Sequence, residues 1–453
     1  MPSSNGLPPT PARETCIIGA GSSGIACAKI LHERGIPFDC FEKGSGVGGM
    51  WRYNNDSGLS SAYRSLHINT SRDVMQYSDF HMPDDYPPFP DHSLILQYFE
   101  NYVDHFGFRN AITFRTSVES VRPAENGQWD VTVRDAEGHE RTKRYGAVCV
   151  ANGHHWCPRL PSFPGTFNGR ILHSHDYRTP AGFEDKRVLV VGLGNSACDI
   201  ACETSRVAKT AFISTRRGAH IIPKYIFGWP MDTLLPKFVW RTLPYWMIRP
   251  MIASALWLQR GSHSWYGLPN PEHRFFEEHP TISADLLNCL GHGYLKVKPT
   301  IRELAGDTVR FVDGSEEPID VIVYATGYNI VFPFFETSII DPVDNQVDLF
   351  KCVVPPDYPN LYFIGLVQPW GAIMPLAELQ SRWVADLLQG IAGLPGRDEM
   401  REDIRRHKEK MSRRYTRSAR HTIQVDFHPY SIEIERERKR GRHRVPQSLA
   451  RAS

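Results

Sequence analysis

Twice along this chain a short β-branched run breaks into a glycine-rich turn and then into a helical pattern. Thr15-Cys16-Ile17-Ile18 runs into Gly19-Ala20-Gly21-Ser22-Ser23-Gly24, and Val188-Leu189-Val190-Val191 runs into Gly192-Leu193-Gly194-Asn195-Ser196-Ala197. In this spacing the first glycine permits a tight turn and the second lets backbone approach a pyrophosphate. The last position, Gly or Ala, sets how closely helix meets strand. Amides at the helix start then face the phosphates. Each fingerprint requires a βαβ crossover on a parallel sheet, so the fold is expected to be α/β with two Rossmann-like dinucleotide-binding domains. Two nucleotide sites in one polypeptide suggest electrons passing from one nucleotide to another.

The two sites differ just past the second strand of each crossover. After Phe38-Asp39-Cys40-Phe41 stands Glu42, eighteen residues beyond Gly24, where an acid holds a ribose diol. That favours an unphosphorylated ribose, as in FAD or NAD. After Ala211-Phe212-Ile213-Ser214 come Thr215-Arg216-Arg217-Gly218. Forked guanidinium groups there suit a 2′-phosphate, so the second site is expected to take NADP(H). Asn195 and Ser196 are expected to donate to its pyrophosphate at the helix start.

The remaining chain reads as connections and flanking layers. Gly46, Gly48 and Gly49 before Met50-Trp51 allow backbone to come close to a ligand. Ser93 to Phe106 has helical periodicity with Ser93 as a cap. Period-2 runs at Ile112–Arg115, Val118–Val121 and Trp129–Val133, with Asn126-Gly127 between the last two, predict antiparallel hairpins. Tyr225 to Leu258 is aromatic and apolar but broken by Pro230, Pro236, Pro244 and Pro250, which rules out one long helix. Core packing is the first expectation there, with a tunnel wall, a dimer face or a membrane-surface patch as alternatives. Pro375 sits at a natural first-turn position before a helix from Ala377 to Leu388. Arg397 to Arg420 alternates charge like an exposed helix, and Glu433 to Arg444 reads as a solvated tail, with an anionic-surface or targeting role as the alternative.

Composition excludes several other classes. The 52 basic residues nearly cancel 50 acidic ones, so no general nucleic-acid field is indicated. Nine scattered cysteines show no Cys-x-x-Cys or zinc spacing, so reduced thiols, a cytoplasmic location and no metal site are expected. Residues 1–13 lack an apolar leader core, and no apolar run reaches the length of a spanning helix. A homodimer is left open.

At this point the chain resembles the flavin-containing monooxygenases. The resemblance rests on Gly19 to Gly24, Glu42-Lys43 with Gly48-Gly49-Met50-Trp51, and Asn69 followed by Tyr77-Ser78-Asp79-Phe80. It also rests on Phe167-x-Gly169-x-x-x-His173-x-x-x-Tyr177, Gly192 to Ala197, Tyr324-Ala325-Thr326-Gly327-Tyr328, and the stretch from Gln368 to Pro375. These motifs cover the chain from Thr15 to about Leu388. The Phe-x-Gly-x-x-x-His motif is the most specific, since it is similar to the signature of flavoprotein monooxygenases that keep NADP bound during turnover.

The resemblance implies an FAD unit from 13–165 with 325–450, and a smaller NADPH unit, 166–324, inserted into it. The latter carries an aromatic-rich insertion at about 225–295. The implied cofactor-binding residues are Gly19, Ala20, Gly21, Ser22, Ser23, Gly24, Glu42, Lys43, Gly49, Met50, Trp51, Asn69, Thr70, Thr326, Gly327 and Gln368 for FAD and its surroundings. For NADPH they are Gly192, Gly194, Asn195, Ser196, Ala197, Asp199, Arg216 and Arg217. The implied activity is NADPH- and O2-dependent oxygenation of a soft nucleophile, an amine or thioether, through a C4a-hydroperoxyflavin, with Asn69 as the stabilising donor. His173, His175 and Tyr177 are assigned to positioning an interdomain hinge.

Departures from the family pattern are small: Met50 stands where Leu is frequent and Tyr324 where Phe is frequent. The C-terminal anchor helix of animal members is not found, which suggests a soluble member. Tyr177-Arg178 replaces the Trp followed by Pro or Asp of Baeyer–Villiger relatives, which tilts the reading toward heteroatom oxygenation. Ketone oxidation, and a non-oxygenating NADPH–flavin reductase or oxidase, remain as alternatives. A flavin disulfide reductase would need a dithiol near the flavin; Cys198 and Cys202 fall on the NADPH-side helix instead.

Overall fold

All four residues of Thr15–Ile18 are buried, as expected of a strand covered on both faces. In the computed structural model, which describes residues 14–234, 239, 243, 245–275, 277–414 and 422–445, this strand is the centre of a five-stranded parallel sheet. Its order is Leu361–Phe363, Ala147–Val150, Thr15–Ile18, Phe38–Phe41, Ile112–Thr113. A second parallel sheet repeats the plan: Arg170–His173, Val321–Tyr324, Arg187–Val191, Thr210–Ser214, Leu295–Lys298. Each fingerprint strand is third in its sheet, with its own crossover strand on one side and a late-returning strand on the other. The first sheet takes strands from both sides of the second in sequence, since the chain leaves it at Val150 and rejoins it at Leu361.

Smaller layers flank each sheet. The antiparallel strands Ser117–Pro123, Trp129–Arg134 and Glu140–Tyr145 place Val121, Trp129, Val131 and Val133 against Ile18, Phe41 and Val150. On the second sheet, Ile301–Gly306 and Thr308–Phe311 bury Ile301, Val309 and Phe311 against Leu189, Phe212 and Ile322. Helix Ser22–Glu33 packs against helix Met374–Leu388, whose early Pro375 is at the expected first-turn position.

Five local expectations are corrected. Ile112–Thr113 joins no hairpin; it pairs in parallel with Cys40-Phe41 as the sheet's edge. A two-residue apolar alternation does not carry strand direction, which is set by the distant partner. The helix His92–His105 is capped by Asp91, whose carboxylate accepts from the Ser93 and Leu94 amides, so Ser93 lies inside it. Helix Tyr245–Arg260 contains Pro250, so proline does not break the stretch there. Lying in the second turn on an exposed face, Pro250 removes a single intrahelical bond.

The aromatic stretch is only partly core. Ile226, Ile248, Ile252 and Leu256 are buried together, whereas Phe227, Trp229, Trp246 and Trp257 are exposed. The expected tail is a docked helix, Phe427–Arg444, that buries Tyr430 and Ile434. Arg438 donates twice to Asp386, a fully buried carboxylate of helix Met374–Leu388. Charge alternation concealed this because the contacts sit one per turn, and only Tyr430 and Ile434 carry the apolar seam.

Residues 1–13, Pro236, Phe238, Trp240, Pro244 and the end of the alternating-charge run, 415–420, lie outside the described residues. All nine cysteines are free, and seven of them are buried. Among the described residues no helix is long and apolar enough to cross a membrane.

Candidate functional site

The first turn is built by backbone that tolerates no side chain. Gly19 has φ +98° and its N–H donates to the Phe41 carbonyl at 2.8 Å. A Cβ on Gly24 would lie 1.8 Å from the Gly19 oxygen, so helix and strand meet at the closest approach glycine allows. Helix Ser22–Glu33 starts from Gly21 with no side-chain cap, leaving its first amides for an anion. Glu42 has a further role that the spacing did not reveal. Its Oε2 accepts from the Ala20 N–H and its Oε1 from the Gly44 N–H, both at 2.7 Å. Burial pushes its pKa up, and those two amides pull it back. Each oxygen keeps a second lone pair, so the carboxylate ties the turn together and still presents acceptors to a diol.

The second turn is built the same way, with Ala197 in the place of Gly24. Gly192 has φ +127°, and a Cβ there would meet the Ala325 oxygen at 2.5 Å. Helix Asn195–Ser205 starts after Gly194, again uncapped by a side chain. Asn195 Oδ1 accepts from the Ile282 N–H at 2.8 Å, which leaves its NH2 group to face the turn. The arginine pair divides: Arg217 binds the buried Glu278 at 2.7 Å, while Arg216 is exposed with no acidic partner among the described residues. Arg217 also lines the cavity, but its guanidinium is engaged by Glu278. Asp199 does not reach the cavity wall; its Oδ2 accepts from the Tyr63 hydroxyl at 2.5 Å.

One cavity of about 1570 Å3 runs from the first turn to the second. Single-ligand pockets span roughly 300–1,000 Å3, so this one has room for two dinucleotides. Its wall includes Gly19, Gly21, Ser22, Ser23, Glu42 and Lys43 at one end, and Gly192, Gly194, Asn195, Ser196, Arg216 and Arg217 at the other. Gly49, Met50, Trp51, Asn69, Thr70, Thr326, Gly327 and Gln368 line it as well, as does Ala197. Ala20 and Gly24 lie behind the wall, where they shape the turn.

Asn69 is part of the same wall, and its side-chain amide has no hydrogen-bond partner among the described residues. Thr326 Oγ1 donates to the Arg159 carbonyl at 2.5 Å, and Gly327, with φ +88°, takes a conformation suited to glycine. Sequence reasoning missed Tyr63, His154, His155 and Asp232, all on the same wall. Only a contact with residues remote in sequence marks them.

The motif histidines are not placed for proton transfer. His173 is buried, its Nδ1 accepts from the His175 N–H, and burial together with His175 lowers its pKa to about 4. It is neutral at physiological pH. Tyr177 is also buried, its hydroxyl donating to Glu203 at 2.7 Å, and it does not line the cavity. Cys198 and Cys202 are buried away from the cavity, which removes the dithiol a disulfide reductase requires. Asp135, Glu137 and His139 bring ligand atoms within 4.8 Å of one another, but on a surface turn outside the cavity.

The donor set fits two dinucleotides: two glycine cradles that a Cβ would fill, two uncapped helix starts, an acid at one ribose end and an exposed guanidinium at the other. Comparison with known proteins agrees. A family described as flavin-binding monooxygenase-like matches residues 12–438. Rat "Flavin-containing monooxygenase 5" is 42% identical over 437 residues, 92% of this chain and 80% of the relative. Mouse "Dimethylaniline monooxygenase [N-oxide-forming] 2" is 38% identical over 445 residues, 93% of this chain and 82% of the relative. The solved structure of S-allyl-L-cysteine S-oxygenase from Allium sativum superposes with a TM-score of 0.71 at 27% identity, covering 94% of this chain and 88% of that one. The chain belongs to the flavin-binding monooxygenase family, as an oxidoreductase that works with FAD and NADPH.

Proposed function

We propose that the protein places one atom of O2 on a soft nucleophile, a secondary or tertiary amine or a thioether. The other atom leaves as water, and one NADPH is oxidised per turnover. The observation that carries this reading is the single cavity joining an acid-marked turn to an arginine-marked turn with Asn69 on its wall. Two relatives whose names specify N-oxide formation and S-oxygenation support the substrate class. The chain is divided in this reading into an FAD unit, 13–165 with 325–450, and an NADPH unit, 166–324.

When bound, NADPH would supply a hydride and FAD the redox ring that activates dioxygen. The residues of the chain do the rest. Glu42 and the Gly21–Ser23 amides hold FAD, and Arg216 with the Asn195–Ser196 helix start holds NADPH. Asn69 offers an amide donor with no competing partner among the described residues. Ile252, Phe275, Trp370 and Phe427 line the same cavity and exclude water, which would otherwise divert O2 to hydrogen peroxide.

Rapid-mixing spectroscopy tests the reading. The NADPH-reduced protein is mixed with O2, with and without methyl phenyl sulfide. Reoxidation that is slow alone and accelerated by the sulfide supports the function; reoxidation equally fast in both, with stoichiometric hydrogen peroxide, identifies an oxidase.

A further inference from the structure

Asn69 lies on a loop whose two flanking backbone groups are both gripped by charged side chains from the other half of the molecule. Lys224 Nζ donates to the Ile68 carbonyl at 3.0 Å. Asp232 Oδ2 accepts from the Ser71 N–H at 2.6 Å. Lys224 and Asp232 come from one device. Strand Tyr225–Ile226 pairs antiparallel with Trp229–Pro230 through a turn at Phe227 and Gly228, whose φ values of +51° and +85° suit a two-residue hairpin. The Met231 N–H closes its base on the Lys224 carbonyl. Lys224 and Asp232 thus stand at the two feet of one hairpin and hold the two ends of Ile68–Ser71.

The grip is well supported on every side. On the opposite flank the Ile68 N–H donates to the Pro90 carbonyl and the Arg72 N–H to Pro88. Phe89, between these prolines, takes Tyr225 edge-on at 5.3 Å and Lys224 over its face at 5.0 Å. The Asn69 loop is therefore sandwiched between residues 88–90 and the hairpin. Burial acts against the charge of Lys224, and Asp199 acts for it. Burial likewise disfavours the Asp232 carboxylate, and the Ser71 N–H favours it.

We propose that Lys224 and Asp232 are positioning residues that hold the Asn69 amide in place, so that the hairpin of the NADPH-side half determines whether reduced enzyme oxygenates or leaks peroxide. The proposal rests on the role of Asn69 in the proposed function. It assigns a purpose to part of the aromatic insertion: its hairpin tip is exposed, but its feet reach the Asn69 loop.

The test uses the FAD-loaded enzyme carrying Lys224→Met, Lys224→Arg, Asp232→Ala or Asp232→Asn, with and without Asn69→Ala. Amide hydrogen exchange at Ser71 reads the grip without turnover. Asp232→Ala is expected to speed it about tenfold, and Asp232→Asn, which keeps an acceptor, less than about twofold. With methyl phenyl sulfide present, the share of NADPH electrons released as peroxide is expected to rise about threefold in Lys224→Met and Asp232→Ala, with the NADPH KM within about twofold of wild type. Lys224→Arg, which keeps a donor, restores coupling. In the Asn69→Ala background neither change adds further leakage, because each acts through Asn69.

Unchanged Ser71 exchange in Asp232→Ala overturns the grip. Leakage that adds fully to that of Asn69→Ala overturns the positioning role. If Asn69→Ala itself stays coupled while Asp232→Ala still speeds Ser71 exchange, the Asn69 assignment is what falls, and the proposed consequence of the grip falls with it.

Discussion

Gly24 and Ala197 occupy the same place in two fingerprints, yet one added methyl group is tolerated at only one of them. At Gly24 a Cβ would press 1.8 Å from a backbone oxygen, whereas Ala197 carries its methyl at an ordinary 3.6 Å from a Cβ built on Gly192. Beyond the strands the difference continues. The first site closes on itself, with both Glu42 oxygens bonded to amides of its own loops. The second leaves Arg216 open to solvent. In the proposed function the first turn serves as a fixture for a resident group, and the second as a dock for one that exchanges. That is the asymmetry expected of a bound flavin served by a consumed coenzyme.

The comparison is most easily broken at Gly24. Gly24→Ala forces backbone apart at a cost of about 3 kcal/mol or more, and the purified protein is expected to carry less than about a tenth of the wild-type flavin absorbance. Ala197→Gly costs about 1 kcal/mol of helix stability and keeps both coenzymes. Full flavin content in Gly24→Ala would remove the distinction.

Arg216 sharpens the other half. Arg216→Ala is expected to raise the KM for NADPH about 10- to 100-fold, since a charged hydrogen bond contributes about 1.5–3 kcal/mol. The KM for NADH should move less than about twofold. Arg217→Ala removes the 2.7 Å ion pair from the buried Glu278, so both coenzymes should suffer alike, together with thermal stability. Equal effects of Arg216→Ala on NADPH and NADH would contradict its role.

The smallest expected effect concerns the edges where the sheets begin. Arg187 donates to Asp320 through Nε at 2.9 Å, and that guanidinium holds the carboxyl down at about 2 against an ordinary 3.8. A depressed folded-state pKa gives stability that is full above pH 3.8 and disappears as pH falls through about 2. Asp320→Asn should lower the melting temperature by about 1–2 °C at neutral pH, because the pair is partly exposed and screened. The difference from wild type should vanish in strong acid. A persistent gap there would mean the pair acts through packing.

Legibility in the sequence depended on how local each feature is. The two turns, the acid and the arginines were readable because a βα turn is dictated by residues within one crossover. So was the helix start at Pro375. Strand Ile112–Thr113 took its direction from Phe38–Phe41, and the docked helix Phe427–Arg444 took its place from Asp386, neither of which a window of sequence contains. The same holds inside the site. Arg216 and Arg217 look equivalent until Glu278 claims one of them. Asp199 belongs to Tyr63, and the hairpin grips on Ile68 and Ser71 span 156 and 161 residues of chain.

The central claim, that one chain uses both coenzymes to place an oxygen atom from O2 on a nucleophile, is tested most directly by isotope. The FAD-loaded protein is given NADPH and methyl phenyl sulfide under 18O2, and the sulfoxide is weighed by mass spectrometry against NADPH consumed. The account predicts one labelled oxygen per sulfoxide and nearly one sulfoxide per NADPH. Unlabelled sulfoxide, or NADPH consumed with peroxide as the sole oxygen product, would contradict it.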